Sequence, residues 1–185
     1  GGSTQGYLSS ILRLRPNVVL IDLDLGVFGD GTRLIAPLTQ AGVAVVVVTA
    51  STDRGRWGEC LRYGARKMLA KTSPLNDILA TVRRINEGLP VMSSDERAGL
   101  LDAWHKRRVE QRELTARLEL LTAREREVLG HLTLGRTVRD IAVLGFVSEA
   151  TVRTQVKSIL AKLDVSSQLA AVGLAHHVGW RSPVN

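Results

Sequence analysis

The sequence predicts a two-part fold: an α/β part built on a partial, doubly wound parallel sheet, followed by an all-α part of short helices. Three observations lead there. Short aliphatic runs alternate with helical patterns through the first half of the chain, the strand signal stops near Pro90, and everything after Leu121 reads as short helix with no proline before Pro183. Alternating strand and helix patterns imply parallel strands joined by right-handed crossovers.

The elements follow in order. Tyr7–Leu14 reads as a helix. VVLIDL (Val18–Leu23), VAVVVVT (Val43–Thr49) and KMLA (Lys67–Ala70) are short, aliphatic and without apolar–polar alternation, as in strands buried on both faces of a parallel sheet. Helical patterns at Thr32–Gln40, Arg54–Tyr63 and Leu75–Glu87 separate and follow them. Ser73-Pro74 opens the last of these, with proline at the first helical position, where its missing N–H costs nothing. Three strands make a thin sheet and the chain opens inside a helix, so the pattern predicts that a first strand unit is missing.

From Ser93 the grammar changes. Ser93 and Glu96 form a capping-box pattern. Asp95–Glu119 is dense in charge, with Leu100, Leu101, Trp104, Val109, Leu114 and Leu118 among the charges. A linker helix and a frayed connector both fit, because polar positions interrupt any heptad. Thr122 and Glu125 form a second capping box, opening a helix with Val128, Leu129 and Leu132 on one stripe and its end near Gly135. Thr137 starts a short helix with Ile141, Ala142 and Leu144 inward. Gly145-Phe146-Val147 makes a tight turn, and Ser148 caps the helix beyond it, which is a helix-turn-helix layout.

Composition narrows the function classes. A hydrophobic fraction of 44% excludes whole-chain disorder, and no apolar run approaches the roughly 20 residues that span a bilayer. One cysteine, Cys60, excludes an internal disulfide framework, and Gly1–Tyr7 lacks a signal pattern, so a cytoplasmic protein without a membrane partner is expected. His105, His131, His176 and His177 share no metal-like spacing with one another or with Cys60, so no zinc site is expected. The 25 basic residues against 18 acidic ones give a net charge of +7, which favours a polyanionic partner through counterion release.

Two groups of residues carry chemistry. The carboxyl ends of the three strands, where open parallel sheets place their functional crevice, hold Asp22 with Asp24, Thr49 with Ser51, and Lys71. A carboxylate, a hydroxyl and an ammonium at one edge suit an aspartate that accepts a phosphoryl group. Loop capping accounts for the same residue types. In the last helix, at 100° per residue, Val152, Val156, Ile159, Leu160 and Leu163 fall in one arc. Arg153, Thr154 and Lys157 fall opposite, where they can meet guanine acceptors and a thymine methyl. Thr151, Gln155, Ser158 and Lys162 fill a flank suited to phosphate oxygens. A solvated surface face would show a similar pattern.

The segments NVVLIDLDLGVFGDG, VVVVTAS and ARKMLAKTSP resemble the second half of a response-regulator receiver domain. The resemblance implies Asp22 as phosphoacceptor, Thr49 as switch hydroxyl and Lys71 as the phosphate-pairing lysine. Three departures accompany it: no acidic pair from a first strand, Gly26 in place of the proline after the acceptor, and Met68 in place of the switch aromatic. Asp22 with Asp24 or Asp30 offers too few oxygens for Mg²⁺, so Mg²⁺ binding is expected only where that acidic pair is supplied.

LTAREREVLGHLTLGRTVRDIAVLGFVSEATVRTQVKSILAKLDV resembles the LuxR-type four-helix domain of NarL/FixJ response regulators. It implies base contacts from Arg153, Thr154 and Lys157 and phosphate contacts from Thr151, Gln155 and Lys162. A fourth helix near Ser167–His176, often used for dimerisation, is implied as well. Gln155 stands where histidine is common, and Val138-Arg139 where a small polar residue and a lysine are usual. The expected organisation is a receiver-like α/β domain (1–92), a helical linker (93–120) and a helix-turn-helix domain (121–185). The expected function is transcription regulation by a homodimer on an inverted-repeat operator, with a sensor histidine kinase as upstream partner. Control by a ligand or partner protein without phosphorylation is the runner-up. A small α/β enzyme using Asp22, Thr49 and Lys71 fits least, because it leaves the helix-turn-helix unexplained.

Overall fold

The computed structural model describes residues 4–26 and 29–184. Residues 1–3, read for an export signal, and 27–28, in the loop after the first strand, lie outside the described residues. The chain divides into two compact units, 1–107 and 108–185.

In the first unit the order is α1 (Thr4–Arg13), β1 (Val18–Ile21), α2 (Thr32–Gln40), β2 (Ala44–Thr49), α3 (Arg54–Arg62), β3 (Lys67–Ala70) and α4 (Leu75–Asn86). The three strands are parallel in the order β1-β2-β3, with Val18 opposite Ala44 and Val46 opposite Lys67. β2, the central strand, is buried along its middle as its aliphatic run predicts. β1 departs from that expectation. It lies at the edge of the sheet and leaves Leu20 48% exposed, beside an apolar groove bordered by Tyr7, Ile11, Leu25 and Leu34. The core joins Ile21, Leu23, Ile35, Leu38, Val45, Val47, Cys60, Leu61 and Met68. Met68, where the resemblance implies a switch aromatic, is buried in this core. Cys60 is fully buried, and loss of water pushes its thiol up to about 12.

Pro74 sits one position earlier than the sequence suggests. Its φ of −55° and ψ of 142° make it the N-cap of α4 and leave Leu75 as the first helical residue. Ser93 accepts a hydrogen bond from the Glu96 amide at 3.1 Å, which is half of the expected capping box. The other half is absent, because the Glu96 carboxylate takes the Lys67 ammonium at 2.8 and 3.0 Å. A full cation competes better for a carboxylate than a backbone amide does.

α5 (Ser94–Glu119) is one helix of 26 residues. It buries Leu100 in the first core and Leu118 in the second, while residues 108–113 are all exposed. Its first half lies on α3 at backbone distance, since a Cβ at Gly58 would fall on the Leu100 carbonyl. Arg62 stacks its guanidinium 5.2 Å from the Trp104 ring, and Arg107 pairs with Asp53 at 2.9 Å.

The second unit continues with α6 (Ala123–Thr133), α7 (Val138–Leu144), α8 (Glu149–Leu163) and α9 (Gln168–His177). α8 packs on α6, α7 and α9 around Val128, Leu129, Ile141, Val152, Ile159 and Leu163. On α7 the inward residues are Ile141 and Ala142, with Val138 partly buried. The expectation for Leu144 fails, as it is 51% exposed. The i, i+3, i+4 stripe is already filled by Val138, Ile141 and Ala142, and Leu144 falls off it.

Candidate nucleic-acid interface and acidic cleft

The parallel register sets the carboxyl ends of the strands side by side, and the predicted trio meets there. Lys71 reaches the Asp22 carboxylate at 2.5 Å, and its backbone N–H donates to the Thr49 carbonyl at 2.9 Å. The Lys71 ammonium, with help from the Asp24 amide, holds the Asp22 carboxyl below its usual range despite some loss of water. Lys71 is correspondingly raised by Asp22. Thr49 is buried, and its hydroxyl oxygen accepts from the Ser51 amide at 3.1 Å.

Around this trio the remaining carboxylates are committed. Asp24 accepts from the Gly26 amide at 3.2 Å. Asp30 loses water, which would raise its pKa, but the Thr32 hydroxyl and amide and the Arg56 guanidinium outweigh that and lower it. Among the described residues no three His, Cys, Asp or Glu side chains cluster as a metal would require. With Asp22 on a lysine and Asp30 on an arginine, the residues present do not form a Mg²⁺ site.

The structure also explains Gly26. Its φ is +59°, where proline, locked near −65°, cannot go, and its N–H serves Asp24. Two neighbours escaped sequence reasoning. Arg56, on α3, bridges Asp30 at 3.0 Å and the Leu23 carbonyl at 3.4 Å. Gly31 lies so close that a Cβ would fall on the Asp22 carbonyl oxygen. Neither contact is announced by local spacing.

In the second unit each residue read as a helix start caps its helix. Thr122 and Glu125 complete the capping box of α6, Thr137 and Asp140 that of α7, and the Ser148 side chain accepts from the Thr151 amide. Gly145, Phe146 and Val147 join α7 to α8. Phe146 takes a left-handed φ of +51° and is 97% exposed. The core arc of α8 is as its periodicity predicts, with Val152, Val156, Ile159 and Leu163 buried and Leu160 half-buried.

The opposite face is open. Arg153, Thr154 and Lys157 are exposed. Arg153 pairs with Glu149 one turn back at 2.8 Å, a surface pair worth little and easily exchanged. The Thr154 hydroxyl donates to the Ala150 carbonyl at 3.0 Å.

On the flank, Thr151 is exposed and shares a hydrogen bond with Ser148, while Gln155 is half-buried. The Gln155 Oε1 is buried with no hydrogen-bond partner among the described residues. Ser158 and Lys162 turn away from the open face and meet the buried Glu125 carboxylate, each at 2.7 Å. That second role for Glu125 has no local signature, because its partners lie 33 and 37 residues away.

Residues 119–175 match the family described as bacterial regulatory proteins, luxR family. The transcriptional regulatory protein LnrK of Bacillus subtilis (strain 168) is 30% identical over 164 residues, covering 85% of this chain and 74% of that protein. The transcriptional regulatory protein LiaR of the same strain is 30% identical over 167 residues, covering 89% and 77%. A nitrate/nitrite response regulator protein homolog of Haemophilus influenzae is 29% identical over 172 residues, covering 92% and 78%. With an α/β sheet unit ahead of a luxR-type helix-turn-helix and relatives similar along most of its length, the chain belongs to the response regulators that bind DNA and regulate transcription.

Proposed function

We propose that this chain binds a specific inverted-repeat operator as a homodimer and reads bases with Arg153, Thr154 and Lys157 of α8. The observation that carries the reading is the division of α8 into a buried apolar arc and an exposed face bearing those three side chains. Arg and Lys donate to guanine O6 and N7, and the Thr154 methyl meets thymine. Thr151 and Gln155 lie along phosphates at the groove wall. Two such helices sit about one helical turn apart, roughly 34 Å, in a two-fold complex. The organisation is a receiver-like domain (1–92), a helical linker (93–120) and a DNA-binding domain (121–185).

Selection of a duplex from a random pool supplies the operator. On that duplex, Lys157→Ala is expected to lower specific affinity about tenfold, as loss of one good base contact costs roughly 1–3 kcal/mol, and to relax sequence preference. Thr154→Ala should change base preference while leaving the salt dependence unchanged. Specific affinity unaltered by Lys157→Ala would sink the assignment of α8.

Control is assigned to the cleft, with Asp22 accepting a phosphoryl group donated by a sensor histidine kinase, and Lys71 and Thr49 meeting its oxygens. Intact mass after incubation with acetyl phosphate and Mg²⁺, with Asp22→Ala as control, tests it. One added phosphate that vanishes in the control supports the reading, and no added mass redirects the search to a phosphate-free signal.

A further inference from the structure

The Glu125 carboxylate ties the start of α6 to α8 through three hydrogen bonds. It accepts from the Thr122 amide, the Ser158 hydroxyl and the Lys162 ammonium, each at 2.7 Å. Its side chain is 8% exposed and that of Lys162 is 32% exposed. Ser158 and Lys162 are one turn apart on α8, on the very flank suited to phosphate. To touch a phosphate, Lys162 would have to abandon a buried carboxylate, leaving a charge uncompensated in a low-dielectric site, which is the costly way to break such a pair.

α8 is thus held along two lines. The arc Val152, Val156, Ile159 and Leu163 packs on the core, through apolar burial that is itself non-directional. The Ser158–Glu125–Lys162 line adds directional bonds to the N-terminal turn of α6. A roll of about 20° carries a point about 5 Å from a helix axis through nearly 2 Å, more than a base-edge hydrogen bond tolerates. Fixing the roll therefore fixes the register of Arg153, Thr154 and Lys157 on base edges.

We infer that Glu125 is a positioning residue for DNA reading, which sets the rotation of α8, and that Lys162 is its structural counter-ion and not a phosphate ligand. This rests on α8 being the reading helix. It gives Lys162 a role different from the one implied by resemblance, takes Ser158 from the phosphate-suited flank to the same structural line, and gives a part in recognition to Glu125, which had none.

The test uses the full chain and a duplex selected by the wild type from a random pool, with affinity measured across a salt series. Lys162→Met is expected to lose about tenfold in specific affinity with the slope of log affinity against log salt unchanged. Glu125→Gln combined with Lys162→Met should recover most of that loss, because an uncharged pair replaces an orphaned carboxylate. Ser158→Ala should cost a few-fold at unchanged slope. A phosphate ligand behaves differently: its removal flattens the slope by about 0.9, and the second substitution restores nothing. That result overturns the inference. If Lys162→Met alone does not fold, the double variant carries the same test, a wild-type slope supporting the inference and a slope flatter by about 0.9 overturning it. Lys157→Ala in the same series separates the two levels, since undiminished specific affinity there defeats the reading helix itself, whatever Lys162 does.

Discussion

At the scale of single residues, buried charge sets the acid stability of the second unit. Glu125 loses water, which would raise its pKa, yet Lys162, Ser158 and Thr122 bring it down to about 2 from an ordinary 4.5. A carboxyl depressed by folding stabilises the folded state fully above its unfolded pKa and loses that contribution as pH falls through the folded one. The window is therefore about 4.5 down to 2, and the contribution is at most about 3 kcal/mol. Acid titration of the second unit by circular dichroism should show stability falling across that window, and Glu125→Gln should flatten the fall. An equally steep fall in the variant would assign the acid sensitivity to other carboxylates. Asp22 has the same sign of linkage through Lys71, but that lysine is half exposed and water weakens the pair. Local residue signals were legible in the sequence here, including the Thr122, Thr137 and Ser148 caps. Glu125's grip on α8 was not, because a capping-box glutamate looks alike whether or not a distant lysine also holds it.

At the scale of elements, contact between helices depends on what is missing from a side chain. α3 meets α5 through Gly58, where the Leu100 carbonyl and the Trp104 Cβ leave no room for a methyl group. Gly58→Ala is expected to destabilise the first unit by about 2 kcal/mol or more, through overpacking against backbone that cannot yield. Hydrogen exchange would then rise first along the N-terminal half of α5. Unchanged exchange in that half would mean α5 gains nothing from α3.

Periodicity made the strands and helices of both units legible, as they are long aliphatic runs or capped amphipathic stripes. It misplaced features set by neighbours. Leu20 is exposed because β1 is an edge, Leu144 because its stripe is already full, and Glu96 leaves its cap because Lys67 is within reach. The trio at the sheet's carboxyl edge was legible because parallel topology alone brings Asp22, Thr49 and Lys71 to one end. Arg56 and Gly31 join them through the fold of the loop, which no motif encodes.

At the scale of the whole molecule, charge and core are distributed differently. The excess of cations is spread along the chain, whereas the apolar residues gather into two separate clusters, one per compact unit. The single thiol belongs to only one of them. Cys60 is fully buried, and its pKa of about 12 leaves almost no thiolate at neutral pH. The protein therefore contains a natural chemical clock. Iodoacetamide can modify Cys60 only during moments when the first unit opens, so the alkylation rate at pH 7.5 counts those openings while remaining blind to the second unit. Across a urea series, labelling is expected to rise with unfolding of the first unit and to ignore Leu129→Ala in the second. Labelling that rises with Leu129→Ala would mean that the two cores melt as one.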